Sequence, residues 1–187
     1  MTGIPIAMSL VRQARAGDMA AFEQLMRRHE RLVLMTALRL LNGNMADAQD
    51  AAQTVFLRMH RHLGTFREDG DLAHWLYRIT ANVCHDMQRG VKKRGEIALD
   101  PLADIQDGSR GQDDVLDDAT QGRILTAGLA KLPEKERAAI VLRDIEGLAT
   151  REVAEILGSS EATVRSQISS GREKIRKFAE RYMRRRS

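Results

Sequence analysis

The chain has 187 residues, 43% of them apolar and 30% charged, and carries a net charge of +4 from 30 basic and 26 acidic side chains. No run approaches the ~20 apolar residues of a membrane helix, and a single cysteine, Cys84, excludes an internal disulfide or a multi-cysteine zinc site. Aromatics at 4%, only 3 prolines and a dominance of Ala, Leu, Arg, Glu, Gln and Met argue against an all-β or α/β domain and for an all-α chain.

Residues 1–16 start a short helix that Gly17 breaks. The segment Ile4 to Met8 is too short for a signal-peptide core and has no basic lead-in, so a cytoplasmic address and no membrane insertion are expected. Asp18 is placed to cap a second helix, in which Phe22, Leu25, Met26, His29, Leu32, Val33, Thr36 and Leu40 recur at helical spacing. Asn42-Gly43-Asn44 ends it, and Asn44 caps a third helix whose stripe is Ala52, Val55, Phe56, Met59 and Leu63. Gly64 to Gly70 reads as a loop. Asp71 then caps a fourth helix with Leu72, Trp75, Leu76, Ile79 and Val83 on one face.

A second face of that fourth helix is basic. Arg78, Asn82, His85 and Arg89 fall at i, i+4, i+7 and i+11, and Lys92, Lys93 and Arg94 extend the line. Trp75 on its own reads as a core tryptophan. Beside this stripe it also fits the stacking or wedging ring that unstacked single-stranded DNA needs. On the third helix Asp47, Asp50 and Gln53 lie opposite the apolar stripe. No His or Glu completes a ligand set with them, so an acidic face that meets a basic partner fits better than metal or acid–base chemistry. Cys84 and His85 are adjacent in sequence and therefore diverge on a helix. There is no glycine-rich phosphate loop. No metal, cofactor or enzymatic activity is expected.

Residues 96–119 lose periodicity. Residues 100–118 hold seven aspartates and one arginine, whereas 85–95 hold four basic residues and one acid, and 171–187 hold eight basic residues and two acids. The organisation expected is two small helical domains, 1–95 and 120–187, joined by a flexible acidic linker at 96–119. Basic patches of this kind are the footprint of phosphate binding, or else a solvated surface with a frayed tail.

Helices resume at about Thr120 with Ile124, Leu125, Leu129 and Leu132 inward. Pro133 opens the next helix, which carries Ala138, Val141, Leu142 and Ile145 and ends at Gly147. The strongest local signal follows. Thr150 to Leu157 is a short helix, Gly158 supplies a left-handed turn, and Ser160 caps a helix with Val164, Ile168, Gly171, Ile175 and Phe178 inward. That is a helix-turn-helix, with an αα-hairpin as the alternative. Its outer face holds Thr163, Arg165, Ser166, Gln167, Ser169, Ser170 and Arg172, groups that pair with base edges and phosphates. Gly171 costs ~1 kcal/mol relative to alanine inside a helix, which a close helix–helix contact would explain.

Four strings together carry a family resemblance: GDMAAFEQLMRRH, DAQDAAQTVFLRMHRHL, TFREDGDLAHWLYRITANVCHDMQR and LPEKERAAIVLRDIEGLATREVAEILGSSEATVRSQI. The chain resembles the extracytoplasmic-function (ECF) sigma factors of bacterial RNA polymerase, from about Ala16 to Arg181. The resemblance implies a subunit that binds core polymerase and recognises promoter DNA at the minus-thirty-five and minus-ten elements, for a stress- or signal-responsive gene set. It implies docking on the β′ clamp helices through Asp47, Asp50, Gln53 and Phe56, with further contact to the β subunit. It implies minus-ten recognition and melting through the loop Arg67 to Asp71 and through Trp75, Arg78, Asn82, Arg89, Lys92, Lys93 and Arg94. It implies minus-thirty-five recognition through Thr163, Arg165, Ser166, Gln167, Ser170 and Arg172, and an anti-sigma factor as inhibitor. The family usually has arginines where Gln167 and Ser170 stand, and alanine at Gly171. Outside the resemblance, the residues also admit a helix-turn-helix regulator with a sensing domain, a helical enzyme using the Asp47/Asp50 pair, or a helical interaction protein.

Overall fold

Local capping chemistry sets where the helices begin. A computed structural model describes residues 6–67, 69–94 and 115–184; for 6–7, 91–94, 115–121 and 123 the backbone alone is described. The first helix, α1, spans Ile6–Arg15 and ends at Gly17, whose φ of 93° is the left-handed conformation that glycine adopts without strain. Asp18 accepts hydrogen bonds from the backbone N–H groups of Ala20 and Ala21 and so starts α2, Met19–Leu40. Asn44 does the same for α3, Met45–His62, by accepting from the Asp47 N–H at 3.1 Å. A single 3₁₀ turn, Leu63–Thr65, follows. Asp71 then accepts from Ala73 and His74 at the head of α4, Leu72–Arg94.

These four helices share a core of Val11, Leu25, Val33, Ala37, Ala48, Ala51, Val55, Met59, Leu76 and Val83, all of them buried. Alanines on α3 let α2 and α3 approach closely over much of their length. Phe56, expected on the apolar stripe, is only half-buried, and Ala48 and Ala51 take its place inside.

The second helical group begins earlier than the sequence suggests. Helix α5 spans Val115–Ala130, five residues ahead of Thr120. Asp117 and Asp118 belong to its first turns, positions that the helix dipole makes compatible with acidic residues. The rest of the expected linker, residues 96–114, lies outside the described residues. Helix α6, Glu134–Ile140, starts after Pro133 and passes into a π-helical turn, Val141–Ile145. The Glu146 N–H donates to the Val141 carbonyl at 2.9 Å, the i to i−5 bond of that turn. Gly147, with φ 78°, ends it.

Helices α7, Thr150–Ile156, and α8, Glu161–Arg184, form the helix-turn-helix. Gly158 turns with φ 57°, and Ser160 Oγ accepts from the Thr163 N–H at 3.1 Å. Val164, Ile168 and Gly171 of α8 are buried, the helix packing on both α6 and α7.

Gly171 is the closest point of that packing. A Cβ there would stand 2.9 Å from Ile140 Cγ1 and 3.5 Å from Leu132 Cδ1. Alanine gains ~1 kcal/mol of helix propensity, but overpacking a buried contact costs about 1–3 kcal/mol. Gly171→Ala is therefore expected to destabilise the fold by up to about 2 kcal/mol, the steric term winning. Urea unfolding of the full chain checks this: a lowered midpoint at unchanged slope is the expected result.

Candidate nucleic-acid and partner interfaces

Helix α4 has one buried side and one open side. Leu76, Thr80, Val83 and Cys84 face the core. Thr80 satisfies its buried hydroxyl by donating to the Leu76 carbonyl at 2.8 Å. Burial pushes the Cys84 thiol up to about 12, which leaves it protonated and unreactive. Arg78, Asn82, His85 and Arg89 are exposed along the other side, as the spacing requires. The α4 backbone continues unbroken through Lys92, Lys93 and Arg94, whose side chains are outside the described residues. Trp75 is half-buried, one part of the ring packing on Phe66 at 5.2 Å between centroids.

The loop before α4 is held by a local fork. Arg67 donates from Nε and Nη2 to the two carboxylate oxygens of Asp69, at 3.1 and 2.8 Å. This hydrogen-bonded pairing raises the Arg67 pKa and lowers that of Asp69. Both groups are fully exposed, so the fork shapes the loop without adding much stability.

On α3, Asp50 and Gln53 are exposed, while Asp47 and Phe56 are half-buried. Asp47 also sits in the first turn of α3, where an acid complements the helix dipole. Sequence reasoning did not select Leu57, which is 60% exposed and lies at i+7 from Asp50, on the same face. Its signal was an apolar residue one step off the stripe. The resulting surface combines two carboxylates with an uncovered leucine.

The helix-turn-helix side chains divide into two groups. Thr163, Arg165, Ser166, Ser169 and Arg172 are exposed. Arg165 pairs with Glu161 at 2.6 Å, and Arg172 forms a two-pronged bond to Asp144 at 2.8 and 2.7 Å. That bond raises the Arg172 pKa. Gln167 and Ser170 are drawn inward instead. Ser170 donates to Glu136 at 3.1 Å, and Lys174 also holds Glu136 at 2.7 Å. Gln167 is half-buried, its Oε1 enclosed and without a hydrogen-bond partner among the described residues. It lies between Val164 and Gly171 on the helix surface, hence at the edge of the buried face.

The exposed side chains converge with others that the linear reading missed. A cleft of about 630 Å³ is lined by Arg143, Thr150, Arg165, Ile168, Ser169, Arg172, Glu173 and Arg176. Four guanidiniums, one from the π turn and three from α8, line it beside Glu173, and Arg165, Arg172 and Arg176 are ion-paired to Glu161, Asp144 and Glu173. Arg143 is 22 residues from Arg165 in the chain, so no periodicity within α8 could place it there.

Among the described residues, no group of three or more His, Cys, Asp or Glu side chains is placed to hold a metal ion, and no helix is long and apolar enough to cross a membrane.

Known proteins are similar to this chain over these elements. Residues 25–94 match the family model for Sigma-70 region 2, and residues 122–175 match that for Sigma-70, region 4. The ECF RNA polymerase sigma factor SigE of Mycolicibacterium smegmatis is 38% identical over 169 residues, which are 87% of this chain and 64% of that protein. The ECF RNA polymerase sigma factor SigM of Mycobacterium tuberculosis is 34% identical over 160 residues, covering 86% of this chain and 78% of that one. Among solved structures, CnrH, determined in complex with the cytosolic domain of CnrY, superposes with a TM-score of 0.62 at 26% identity over 92% of this chain and 96% of that one. The two family models fall on the helices that carry the α3 and α4 faces and on the helix-turn-helix, and the chain belongs to the ECF sigma factors, promoter-specificity subunits of bacterial RNA polymerase.

Proposed function

We propose a division of labour in which residues 1–95 bind polymerase and open the minus-ten element, 96–119 span the gap, and 120–187 read the minus-thirty-five element. The observation that supports it best is α4. A single unbroken helix presents Arg78, Asn82, His85 and Arg89 on its open side, with a half-exposed Trp75 about two turns before the asparagine. Cations bind the backbone, the ring stacks or wedges, and the amide pairs with a base edge once the strand is unstacked. Lys92, Lys93 and Arg94, which follow in the chain, are the groups proposed for the DNA backbone.

Asp47, Asp50, Gln53 and Phe56, joined by Leu57, form the face for the β′ clamp helices. Exposed carboxylates around an uncovered apolar side chain suit a basic helical partner with an apolar seam. The β subunit is the second polymerase contact. An anti-sigma factor is the expected inhibitor, and the cytoplasm, where polymerase works, the expected compartment.

For the minus-thirty-five element, Thr163, Arg165, Ser166 and Arg172 read or grip DNA from the open face, with Arg143 and Arg176 on the phosphates. Gln167 and Ser170 stand at its inner edge. Arg172→Ala tests this assignment. It removes one cation held in fixed geometry by Asp144, so promoter affinity of the holoenzyme falls and the slope of log K against log salt flattens by about 1. An unchanged slope in a filter-binding titration at several salt concentrations counts against a phosphate contact at this position.

A further inference from the structure

Helix α1 is tied to the loop that precedes α4, although it lies ahead of residues 25–94, the span that matches Sigma-70 region 2. The tie is Arg15, the half-buried last residue of α1. Its Nε donates to the Leu63 carbonyl at 2.8 Å, and its Nη2 donates to the Phe66 carbonyl. These acceptors lie 48 and 51 residues along the chain. A cation in a last helical turn ordinarily complements the dipole of its own helix. Here the end of α1 is already satisfied by backbone: the carbonyls of Arg12, Gln13 and Ala14 accept from the N–H groups of Ala16, Asp18 and Gly17. The guanidinium reaches instead across the turn that the Phe66 N–H closes on the Leu63 carbonyl at 3.2 Å. A planar fork of donors suits two carbonyls held at fixed spacing, as an ammonium does not.

Phe66 is the residue that this tie holds. Its ring is buried and packs on Trp75, the two planes tilted by 47°. The loop folds back over the same ring. The Gly70 N–H donates to the Arg67 carbonyl at 3.0 Å, and a Cβ on Gly70 would stand 3.1 Å from that oxygen and 3.4 Å from Phe66 Cε2. The loop's other side-chain bonds lie at the surface: the fork between Arg67 and Asp69, and the Thr65 hydroxyl donating to the His62 carbonyl at 2.8 Å. Exposed bonds of this kind hold a loop weakly. The part-buried carbonyls of Leu63 and Phe66 are different, because a buried acceptor left without its donor is costly. The seat of Phe66, and through it the inner edge of Trp75, therefore depends on Arg15.

We propose that Arg15 is a positioning residue for minus-ten recognition: by clamping the carbonyls of Leu63 and Phe66 it fixes the Phe66–Trp75 platform against which an unstacked base is read. It acts through that platform and not through contact with DNA. A platform held before the strand arrives loses less binding energy to ordering. Loosening it costs discrimination between bases more than overall grip, because the cations of α4 supply the grip whatever the sequence. This inference rests on the assignment of α4, with Trp75 and the loop before it, to the minus-ten element.

The test uses two readouts. Trp75 is the chain's single tryptophan, so acrylamide quenching of its emission in the full chain reports the platform directly. Titration of the holoenzyme with single-stranded oligodeoxynucleotides, each carrying one substitution in the minus-ten segment of a promoter mapped by run-off transcription, reports discrimination. Arg15→Ala is expected to increase quenching, to shift the emission to the red, and to lower discrimination about tenfold, within what one well-placed base contact provides. Arg15→Lys, which keeps the charge and a donor for one carbonyl, is expected to fall between wild type and Arg15→Ala, and it carries the same readouts if the alanine variant does not fold. Arg28→Ala, on the exposed side of α2, removes the same charge elsewhere and is expected to move neither. Unchanged quenching and discrimination, even with a lowered urea midpoint, reduce Arg15 to a structural bond and overturn the proposal. An equal loss of affinity for every oligonucleotide at unchanged quenching makes Arg15 a phosphate contact and overturns it too. Trp75→Ala isolates the assignment beneath. If discrimination survives Trp75→Ala, the platform is not where the base is read; if it is lost there but survives Arg15→Ala, only the role of Arg15 falls.

Discussion

Reversing Asp47 and Asp50 to lysine is expected to weaken binding to core polymerase by about 2–5 kcal/mol, roughly 30- to 4,000-fold, because two attractive contacts become repulsive. The fold should survive. Asp50 is exposed, Asp47 is half-buried, and the packed side of α3 is Ala48, Ala51, Ala52 and Val55. Lysine in the first turn opposes the helix dipole at a cost of only about 0.3–1 kcal/mol. Affinity measured against core enzyme, alongside a urea unfolding curve, separates the two effects. Unchanged core affinity in a folded double variant would remove this face from the polymerase interface.

Asn82→Ala is expected to leave core binding intact and to reduce open-complex formation by about 1–3 kcal/mol, the value of a well-placed base-edge hydrogen bond. Asn82 is exposed, between Arg78 and Arg89 on the open side of α4, while its neighbours Val83 and Cys84 are buried. Removing the amide therefore costs the fold little. Permanganate reactivity of unpaired thymines on a duplex promoter reads the result directly. Full reactivity with the variant holoenzyme would place base capture elsewhere.

The helix ends were legible because they are local. Asp18, Asn44, Asp71 and Ser160 each bond to the backbone within three residues. Gly17 and Gly158 sit in the left-handed region where chain direction changes. The open stripe of α4 was legible for the same reason, since Arg78 to Arg89 belong to one regular helix.

What escaped the sequence depends on distant or irregular geometry. The π turn at Val141–Ile145 winds in one extra residue, so helical counting from Ala138 loses register before Glu146. Arg137 breaks the polar-outside pattern, because its distant partner, the Leu40 carbonyl, becomes a neighbour only once α6 docks. The start of α5 was misplaced because aspartates suit both a linker and a helix head. On α8, Gln167 follows polar neighbours in the chain but lies beside Val164 and Gly171 in space. Residue type suggested the outer face there, and angular position set the inner edge.

The most direct test of the central claim is run-off transcription with purified core polymerase and genomic DNA, mapping transcript starts with and without this chain. The account predicts discrete starts that depend on the chain and that weaken with Asn82→Ala. Tight binding of the chain alone to duplex promoter DNA, with no chain-dependent start on addition of core polymerase, would contradict it.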